Sequence, residues 1–173
     1  ITGNQVDGNL CIRFPWPGIA RTIWGDHQRY KETYFTAFPG KYFTGDGALR
    51  DEVGYYRITG RVDDVIIVSG HNLGTAPIED SINQHPAVAE SAIVGYPHDI
   101  KGSALYGYVI LKDTGESRDR DNLRKEINQV ISDTIGPIAK LDKIKFVSAL
   151  NKKKKKKIMR RILRKIAEGD FAN

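Results

Sequence analysis

The residues best suited to chemistry stand at a charged joint. Residues 60–64 read Gly-Arg-Val-Asp-Asp and separate one strand-like stretch, residues 55–59, from a very apolar one, residues 65–68. Two adjacent carboxylates beside an arginine are poorly suited to a core and well suited to a hinge or an anion site. A solvated turn, with a surface ion pair from Arg61 to Asp63 or Asp64, explains the same pattern. The residues alone leave both interpretations open.

A second candidate is Asp46, which stands between Gly45 and Gly47. The Gly-Asp-Gly triplet predicts a sharp turn. A carboxylate there could accept hydrogen bonds from both hydroxyls of a ribose, and flanking glycines let a ligand approach the backbone closely. An aspartate that only serves a β-turn is the alternative, and on turn statistics alone it is favoured.

The third candidate is a lysine tract. Residues 152–157 are six consecutive lysines, and they are followed by Arg160, Arg161, Arg164 and Lys165. These ten residues carry a charge of +10, against a net charge of +6 for the whole chain, so the basic character is local. A run of this kind is usually a solvated, mobile tract, and it could also lie on an anionic membrane or on nucleic acid. Because no aromatic residues are interleaved with the charges, we expect neither a membrane nor a nucleic-acid partner.

Composition sets wider limits. The chain has 173 residues, 40% of them hydrophobic and 28% charged, which is typical of a soluble globular protein. The single Cys11 cannot form an internal disulfide, so we expect a reducing, cytoplasmic location. The chain starts without Met or a basic leader, and we expect it to be part of a longer protein.

Up to the joint, the pattern predicts a β-rich block. Residues 9–14 alternate as a half-buried strand, and Asp26 is a plausible N-cap for a helix closed by Pro39 and Gly40. Residues 41–44 form a short strand before the predicted turn at 45–47. A hairpin turn at 51–54 then leads into a strand over residues 55–59.

After Asp63 the pattern predicts a small α+β domain. Thr75 caps a helix with Pro77 in its first turn and Ile78 and Ile82 buried. Strands are predicted over residues 88–94, 105–111 and 144–147, and a turn over 113–117. Helical spacing of apolar residues predicts two further helices, and the residues that set this spacing are Leu123, Ile127, Val130, Ile131 and Ile135 in one and Ile158, Met159, Ile162, Leu163 and Ile166 in the other.

Four segments together resemble the acyl-adenylate-forming enzymes. They are residues 42–64 (YFTGDGALRDEVGYYRITGRVDD), residues 68–80 (VSGHNLGTAPIED), residues 157–169 (KIMRRILRKIAEG) and a WPG-x-x-RT-x-x-GDH pattern over residues 16–27. The last pattern is similar to the acetyl-CoA synthetase branch. The resemblance implies that residues 1–63 are the end of a large N-terminal domain and residues 64–173 a small mobile C-terminal domain, with the hinge at Asp63.

The resemblance also implies a reaction. ATP, acetate and CoA would give acetyl-CoA, AMP and pyrophosphate through acetyl-adenylate, with Mg²⁺ on the ATP phosphates. A propionyl-CoA synthetase would look almost the same over these residues. The family's phosphate loop and acyl pocket lie upstream, so we expect this piece alone to be inactive. The missing N-terminal domain is therefore an expected partner.

Residue roles follow from the same resemblance. Asp63 corresponds to the hinge, and Lys157 corresponds to the lysine that serves adenylation and that is regulated by acetylation, which implies a lysine acetyltransferase and a deacetylase as partners. The positions that correspond to ATP or AMP contacts are Asp46, Arg61 and Asn72. The positions that correspond to CoA contacts are Ser69, Gly70 and Ser132, with glycine at 70 expected because a narrow tunnel leaves no room for a Cβ. The positions that correspond to a loop holding a cation are Asn83, His85 and Val88.

Three positions depart from the family pattern. Asn72 stands where an arginine is usual, and Ser132 where a basic residue is usual, so each lacks a charge. Lys156 replaces a glycine just before Lys157. The loop over residues 83–88 contains no carboxylate, so we expect at most a weak structural cation site there. A histidine that simply ends a helix is the alternative for His85.

Overall fold

The structure is a computed structural model that describes residues 3–113, 117–152 and 157–169. The chain divides into two compact units, Ile1–Asp63 (unit 1) and Asp64–Asn173 (unit 2). In the described residues, no helix has the length and apolar character needed to cross a membrane.

Unit 1 is an antiparallel three-stranded sheet with one helix. Its strands are in the order β1 (Val6–Ile12), β2 (Tyr42–Arg50) and β3 (Tyr56–Arg61), and α1 spans His27–Phe35. The carboxylate of Asp26 accepts the backbone N–H of Arg29 at 3.0 Å, which confirms the predicted N-cap. Tyr34 stacks on Tyr42 with ring centroids 4.9 Å apart, so the helix packs on β2 through aromatic rings.

The turn predicted at residues 45–47 is wrong. Strand β2 continues through Gly45, Asp46 and Gly47 to Arg50. The glycines serve an irregularity within the strand instead: Gly45 has φ +78°, and the pairing with β3 shifts register between Gly47 and Ala48. Glycine supplies the same conformational freedom to a bulge as to a turn, and only strand pairing distinguishes the two.

Unit 2 is a mixed sheet flanked by helices, which confirms the predicted α+β class. Its central strand β7 (Gly102–Leu111) pairs antiparallel with β6 and β4 and parallel with β8. The other strands are β4 (Ile66–Val68), β5 (His71–Leu73), β6 (Val88–His98) and β8 (Lys143–Phe146). The helices described are α2 (Thr75–Asn83), α3 (Arg120–Thr134) and α4 (Arg160–Glu168).

Strand alternation gives this sheet two buried faces. On one face, Ile93 and Leu105 pack in a cluster with residues of α2 and α3, including Ile78, Ile82, Ile127 and Ile131. On the opposite face, Ala92, Val94 and Tyr108 pack with Leu163 of α4. The apolar stripe predicted for the last helix is thus covered by the sheet.

Most element predictions in unit 2 are confirmed, with corrections at two helix starts. Helix α4 begins at Arg160, so Ile158 and Met159, which the spacing predicts in this helix, lie before it. Helix α2 has Gly74 as its N-cap without a side-chain hydrogen bond, so the prediction that Thr75 caps it is wrong by one position. Thr75 is buried at the first helical position, where its side chain packs rather than caps. Most of the turn predicted at residues 113–117 lies outside the described residues.

Candidate functional site: two clusters of charged residues

In unit 1, strand pairing brings Asp46 and Arg61 together. They are direct partners in the β2–β3 register, and Arg61 Nη1 lies 3.4 Å from Asp46 Oδ1. The same Nη1 donates to the carbonyl oxygen of Thr44 at 3.2 Å. The Thr44 hydroxyl accepts the backbone N–H of Asp46 at 3.1 Å and donates to the carbonyl oxygen of Leu10 at 2.9 Å. The strand backbone that carries the Asp46 carboxylate is therefore fixed by hydrogen bonds of the Thr44 side chain.

The two flanking glycines make room for protein atoms. A Cβ on Gly45 would lie 2.7 Å from Arg61 Nη2, and a Cβ on Gly47 would lie 2.7 Å from the Thr59 hydroxyl oxygen. The expected close approach to the backbone is present, but within the chain it is made by the guanidinium of Arg61 and by Thr59.

Asp63 lies beside this pair. It belongs to a 3₁₀ turn, Val62–Asp64, and its carboxylate accepts Arg61 Nε at 3.1 Å. The Asp63 side chain is 74% exposed. Arg61 thus lies between two carboxylates, and the surface ion pair considered from the sequence is present. The next carboxylate differs, because Asp64 is mostly buried and pairs with Arg164 at 3.4 Å.

In unit 2, Ser69 and Gly70 form the tight turn between β4 and β5. Their φ angles are +48° and +83°, and Val68 pairs with His71, which is the geometry of a two-residue hairpin turn. A Cβ on Gly70 would meet no atom within 4 Å. The positive φ therefore explains the glycine at position 70. The atoms of this chain leave room for a Cβ there, so the expected lack of space finds no support.

Asn72 and Ser132 do not come together. Asn72 is exposed on β5 opposite Ile67, whereas Ser132 is half-buried on α3 next to the core residue Ile131. Both lie in the described part of the chain, where no hydrogen bond joins their side chains. Neither position carries a charge, as the sequence already indicated.

The loop over residues 83–88 is tied to α3. The imidazole of His85 is 5% exposed, its Nδ1 accepts the N–H of Ala87 at 3.2 Å, and its Nε2 faces Glu126 Oε2 at 3.1 Å. Asn83 Oδ1 accepts the hydroxyl of Ser91 at 2.9 Å. Both ring nitrogens of His85 are therefore engaged by protein groups.

The loop itself contains no carboxylate, as its sequence indicates, but α3 places Glu126 beside His85. Its hydrogen bond to His85, together with Arg118 at 2.7 Å, holds the pKa of Glu126 below its usual range. Among the described residues, no three His, Cys, Asp or Glu side chains cluster in a way that could hold a metal ion.

Lys157 directly precedes two backbone contacts that link residues 151–152 with residues 158–159. Lys152 and Ile158 form a β-bridge, and the N–H of Met159 donates to the carbonyl oxygen of Asn151 at 2.8 Å. The side chain of Lys157 is exposed. The remaining lysines of the tract, residues 153–156, lie outside the described residues. These two contacts place the backbone of Lys157 next to the start of α4.

An ion pair that the sequence did not predict lies at the start of α4, between Arg160 and Glu79. Arg160 Nη2 donates to Glu79 Oε1 at 2.7 Å and Oε2 at 2.6 Å. The side chain of Glu79 is only 12% exposed, and burial raises its pKa although Arg160 opposes the rise. Breaking such a pair from one side typically costs about 3–5 kcal/mol. Nothing in the local sequence marks Glu79 as buried, because charged residues are exposed by default.

Comparison with known proteins defines the class. Residues 77–157, just under half of the chain, match the family described as the AMP-binding enzyme C-terminal domain. The match ends at Lys157 and includes Glu79, His85 and Ser132. The family expected from the sequence motifs is confirmed.

Within that class, the chain is similar to acetyl-coenzyme A synthetases. It is 60% identical to the enzyme of Methylobacterium radiotolerans over 167 residues, which cover 96% of this chain and 26% of the relative. It is also 60% identical to the enzyme of Parvibaculum lavamentivorans over 166 residues, 96% of this chain and 25% of the relative. The chain thus spans about a quarter of the length of these relatives.

A solved structure shares the fold. The chain superposes on the anthranilate CoA ligase AuaEII, solved in complex with anthranoyl-AMP, with a TM-score of 0.83 and 28% identity. The match covers 96% of this chain and 31% of that one. The architecture of this chain is therefore similar to that of the corresponding part of the anthranilate CoA ligase AuaEII.

Proposed function

We propose that the chain is the C-terminal part of an AMP-forming acetate–CoA ligase. The observation that carries this proposal is the 60% identity to acetyl-coenzyme A synthetases over 96% of the chain. The whole protein would convert ATP, acetate and CoA into acetyl-CoA, AMP and pyrophosphate through acetyl-adenylate. Propionate is the alternative acid, and acetate is favoured because the relatives are acetyl-coenzyme A synthetases.

Lys157 is proposed to serve the first half-reaction. Negative charge gathers on the α-phosphate as the carboxylate of the acid attacks and pyrophosphate leaves. A pre-positioned ammonium stabilises this charge, and loss of one such donor costs about a hundred- to a thousandfold in rate. The exposed Lys157, next to the β-bridge between Lys152 and Ile158, is a suitable donor.

Asp46 and Arg61 are proposed to bind the nucleotide. The Asp46 carboxylate would accept the ribose hydroxyls of ATP or AMP, and Arg61 would contact the nucleotide and hold that carboxylate in place. The short distances between these side chains support this arrangement. Asn72 is proposed as an uncharged nucleotide contact. Mg²⁺, which neutralises the ATP phosphates when bound, would take its phosphate-side ligands mainly from the rest of the protein.

The second half-reaction needs CoA at the same centre. The hairpin turn at Ser69 and Gly70, together with Ser132, is proposed to contact CoA after the small domain rotates about Asp63. A few residues at the end of an element are enough to absorb such a rotation. The 3₁₀ turn Val62–Asp64, in which Asp63 is exposed, supports this hinge.

Three finer proposals complete the assignment. We place the protein in the cytoplasm. We also propose that acetylation of the exposed Lys157 switches adenylation off by removing its charge. A cation bound by loop oxygens at Asn83, His85 and Val88 would have structural importance only, since the His85 ring is already engaged.

The test separates the two half-reactions in the full-length protein. Lys157→Ala should slow acetate-dependent exchange of pyrophosphate into ATP by about a hundred- to a thousandfold and spare thioester formation from supplied acetyl-adenylate. Lys145→Ala, which removes an exposed lysine of β8, is the matched control and should change neither rate. Equal loss in both half-reactions would contradict the role of Lys157. Steady-state kinetics with acetate and propionate identify the acid.

A further inference from the structure

The first residue of helix α4 forms an ion pair with the carboxylate of Glu79. Arg160 is the first residue of α4, and its Nη2 contacts both oxygens of Glu79, at 2.7 and 2.6 Å. The Nε of Arg160 is buried and has no hydrogen-bond partner. The position of this guanidinium therefore depends on Glu79.

Glu79 is itself fixed by the sheet. It lies on α2, and its Oε1 accepts the backbone N–H of Ile93 in β6 at 2.8 Å. One carboxylate thus joins α2, β6 and α4. A carboxylate that contacts an arginine through both of its oxygens and also accepts a backbone N–H has little freedom to move.

Lys157 lies only three positions before Arg160. The intervening backbone has little slack, because Ile158 is bridged to Lys152 and Met159 N–H is bonded to Asn151. One turn later, Arg164 pairs with Asp64, which fixes the same face of α4. The backbone that carries Lys157 is therefore tied to the sheet through the contact between Arg160 and Glu79.

We propose that Glu79 is a positioning residue for Lys157. It places the start of α4 and thereby the ammonium group that would meet the α-phosphate in adenylation. The inference rests on the proposed function, since it assigns Glu79 an effect on the half-reaction that Lys157 serves. Glu79 acts through Arg160 and touches neither substrate nor nucleotide.

Glu79→Gln in the full-length protein is the first test, because glutamine keeps the shape and loses the charge. Displacement of a catalytic group by about 1 Å can cost on the order of a hundredfold, so we expect adenylation to slow by about ten- to a hundredfold. The loss should fall on kcat rather than on KM for ATP, and thioester formation from supplied acetyl-adenylate should be unchanged.

Asp142→Asn is the matched control. Asp142 also pairs with a cation, Lys101, and accepts a backbone N–H, that of Leu105 at 3.4 Å, but among the described residues no hydrogen bond or ion pair joins it to α4. Melting temperatures of the two variants show how much each change destabilises the fold. If the role of Glu79 is purely structural, Glu79→Gln should behave like Asp142→Asn. Each variant should then lower the rates of the two half-reactions to the same extent.

The decisive measurement is a double-mutant cycle with Lys157→Ala. If Glu79 acts through Lys157, Glu79→Gln should not slow adenylation further in the Lys157→Ala background. An equal fold-loss in both backgrounds would overturn the inference and leave the proposed function intact. A failure of Lys157→Ala to slow adenylation would instead overturn the proposed role of Lys157.

Arg160→Lys covers the case in which Glu79→Gln does not fold. Lysine keeps the charge but replaces the planar guanidinium by a flexible and more strongly hydrated ammonium, so the start of α4 should be less well fixed. We expect a smaller loss that is still confined to adenylation. An Arg160→Lys protein with normal adenylation would overturn the inference.

Discussion

The hydroxyl of Tyr108 donates a hydrogen bond of 2.9 Å to the carbonyl oxygen of Leu163. This bond joins the central strand β7 to helix α4 across a buried contact in which Tyr108 is 2% exposed. It is a third link, besides the ion pairs of Arg160 and Arg164, between this helix and the rest of unit 2. The helix that follows Lys157 is therefore held along its length.

Tyr108→Phe should loosen α4 without disrupting the core. Phenylalanine keeps the ring and removes only the hydrogen bond, which contributes about 1 kcal/mol. Local opening should then become about fivefold more frequent. Amide hydrogen exchange of α4 at neutral pH is the measurement, with Tyr106→Phe as the control on the neighbouring stacked ring. Unchanged exchange in α4 would contradict the link.

Alkaline pH should reverse the order of stability of wild type and Tyr108→Phe. Burial raises the pKa of Tyr108 from 10.0 to about 12. A group with a raised pKa in the folded state contributes stability that is present below its unfolded pKa and is lost as pH rises toward the folded value. The wild type should therefore lose its advantage between pH 10.0 and about 12. Denaturant unfolding of the chain across this range checks the crossing, and parallel curves would contradict it.

Acid should remove the contribution of the Glu126 carboxylate to the free energy of unfolding. His85, and after it Arg118, lower the pKa of Glu126 below its ordinary value of 4.5. A lowered pKa contributes stability that is present above the ordinary value and is lost as pH falls through the folded value. The difference in unfolding free energy between wild type and Glu126→Gln should be constant above pH 4.5 and shrink below it.

Asp121→Asn provides the comparison for Glu126. Asp121 also pairs with an arginine of its own helix, but its side chain is 81% exposed, and such pairs contribute little. Its effect on unfolding should be small at neutral pH. If Glu126→Gln behaves like Asp121→Asn, the bond to His85 contributes nothing to stability.

Gly45→Ala should weaken nucleotide binding in the full-length protein. The new Cβ would lie 2.7 Å from Arg61 Nη2 and would push the guanidinium away from Asp46. Loss of a charge-assisted hydrogen bond corresponds to about a tenfold rise in the dissociation constant of ATP. Gly40→Ala is the control, because its φ is also positive, +74°, but its Cβ meets nothing within 4 Å. Equal affinities of the two variants would argue against a role for Arg61.

Gly70→Ala and Gly102→Ala form a second matched pair. Their φ angles are +83° and +74°, and neither Cβ would meet an atom within 4 Å. In both variants, backbone strain should lower the free energy of unfolding by about 1–2 kcal/mol. Only Gly70→Ala should also slow thioester formation selectively, because only that turn is proposed to contact CoA. Equal rates in the thioester half-reaction would remove the turn from the CoA site.

The periodicity of apolar residues determined much of the fold. Ile78 and Ile82 in α2, and Ile127 and Ile131 in α3, are buried as their spacing predicted. The N-cap at Asp26 was also predictable, because it depends on a local contact with Arg29. The family, too, followed from motifs that lie within short segments of the chain.

Tertiary structure alone decided how the charged residues pair. Glu79 and Arg160 are 81 positions apart, and His85 and Glu126 are 41 apart. No local pattern predicts such pairs, because they depend on which faces of the sheet the helices cover. The same holds for residues 45–47, where glycine allowed either a turn or a bulge and the pairing of β2 with β3 produced the bulge. Short-range preferences determine helices and buried faces, whereas ion pairs across the fold require the packed chain.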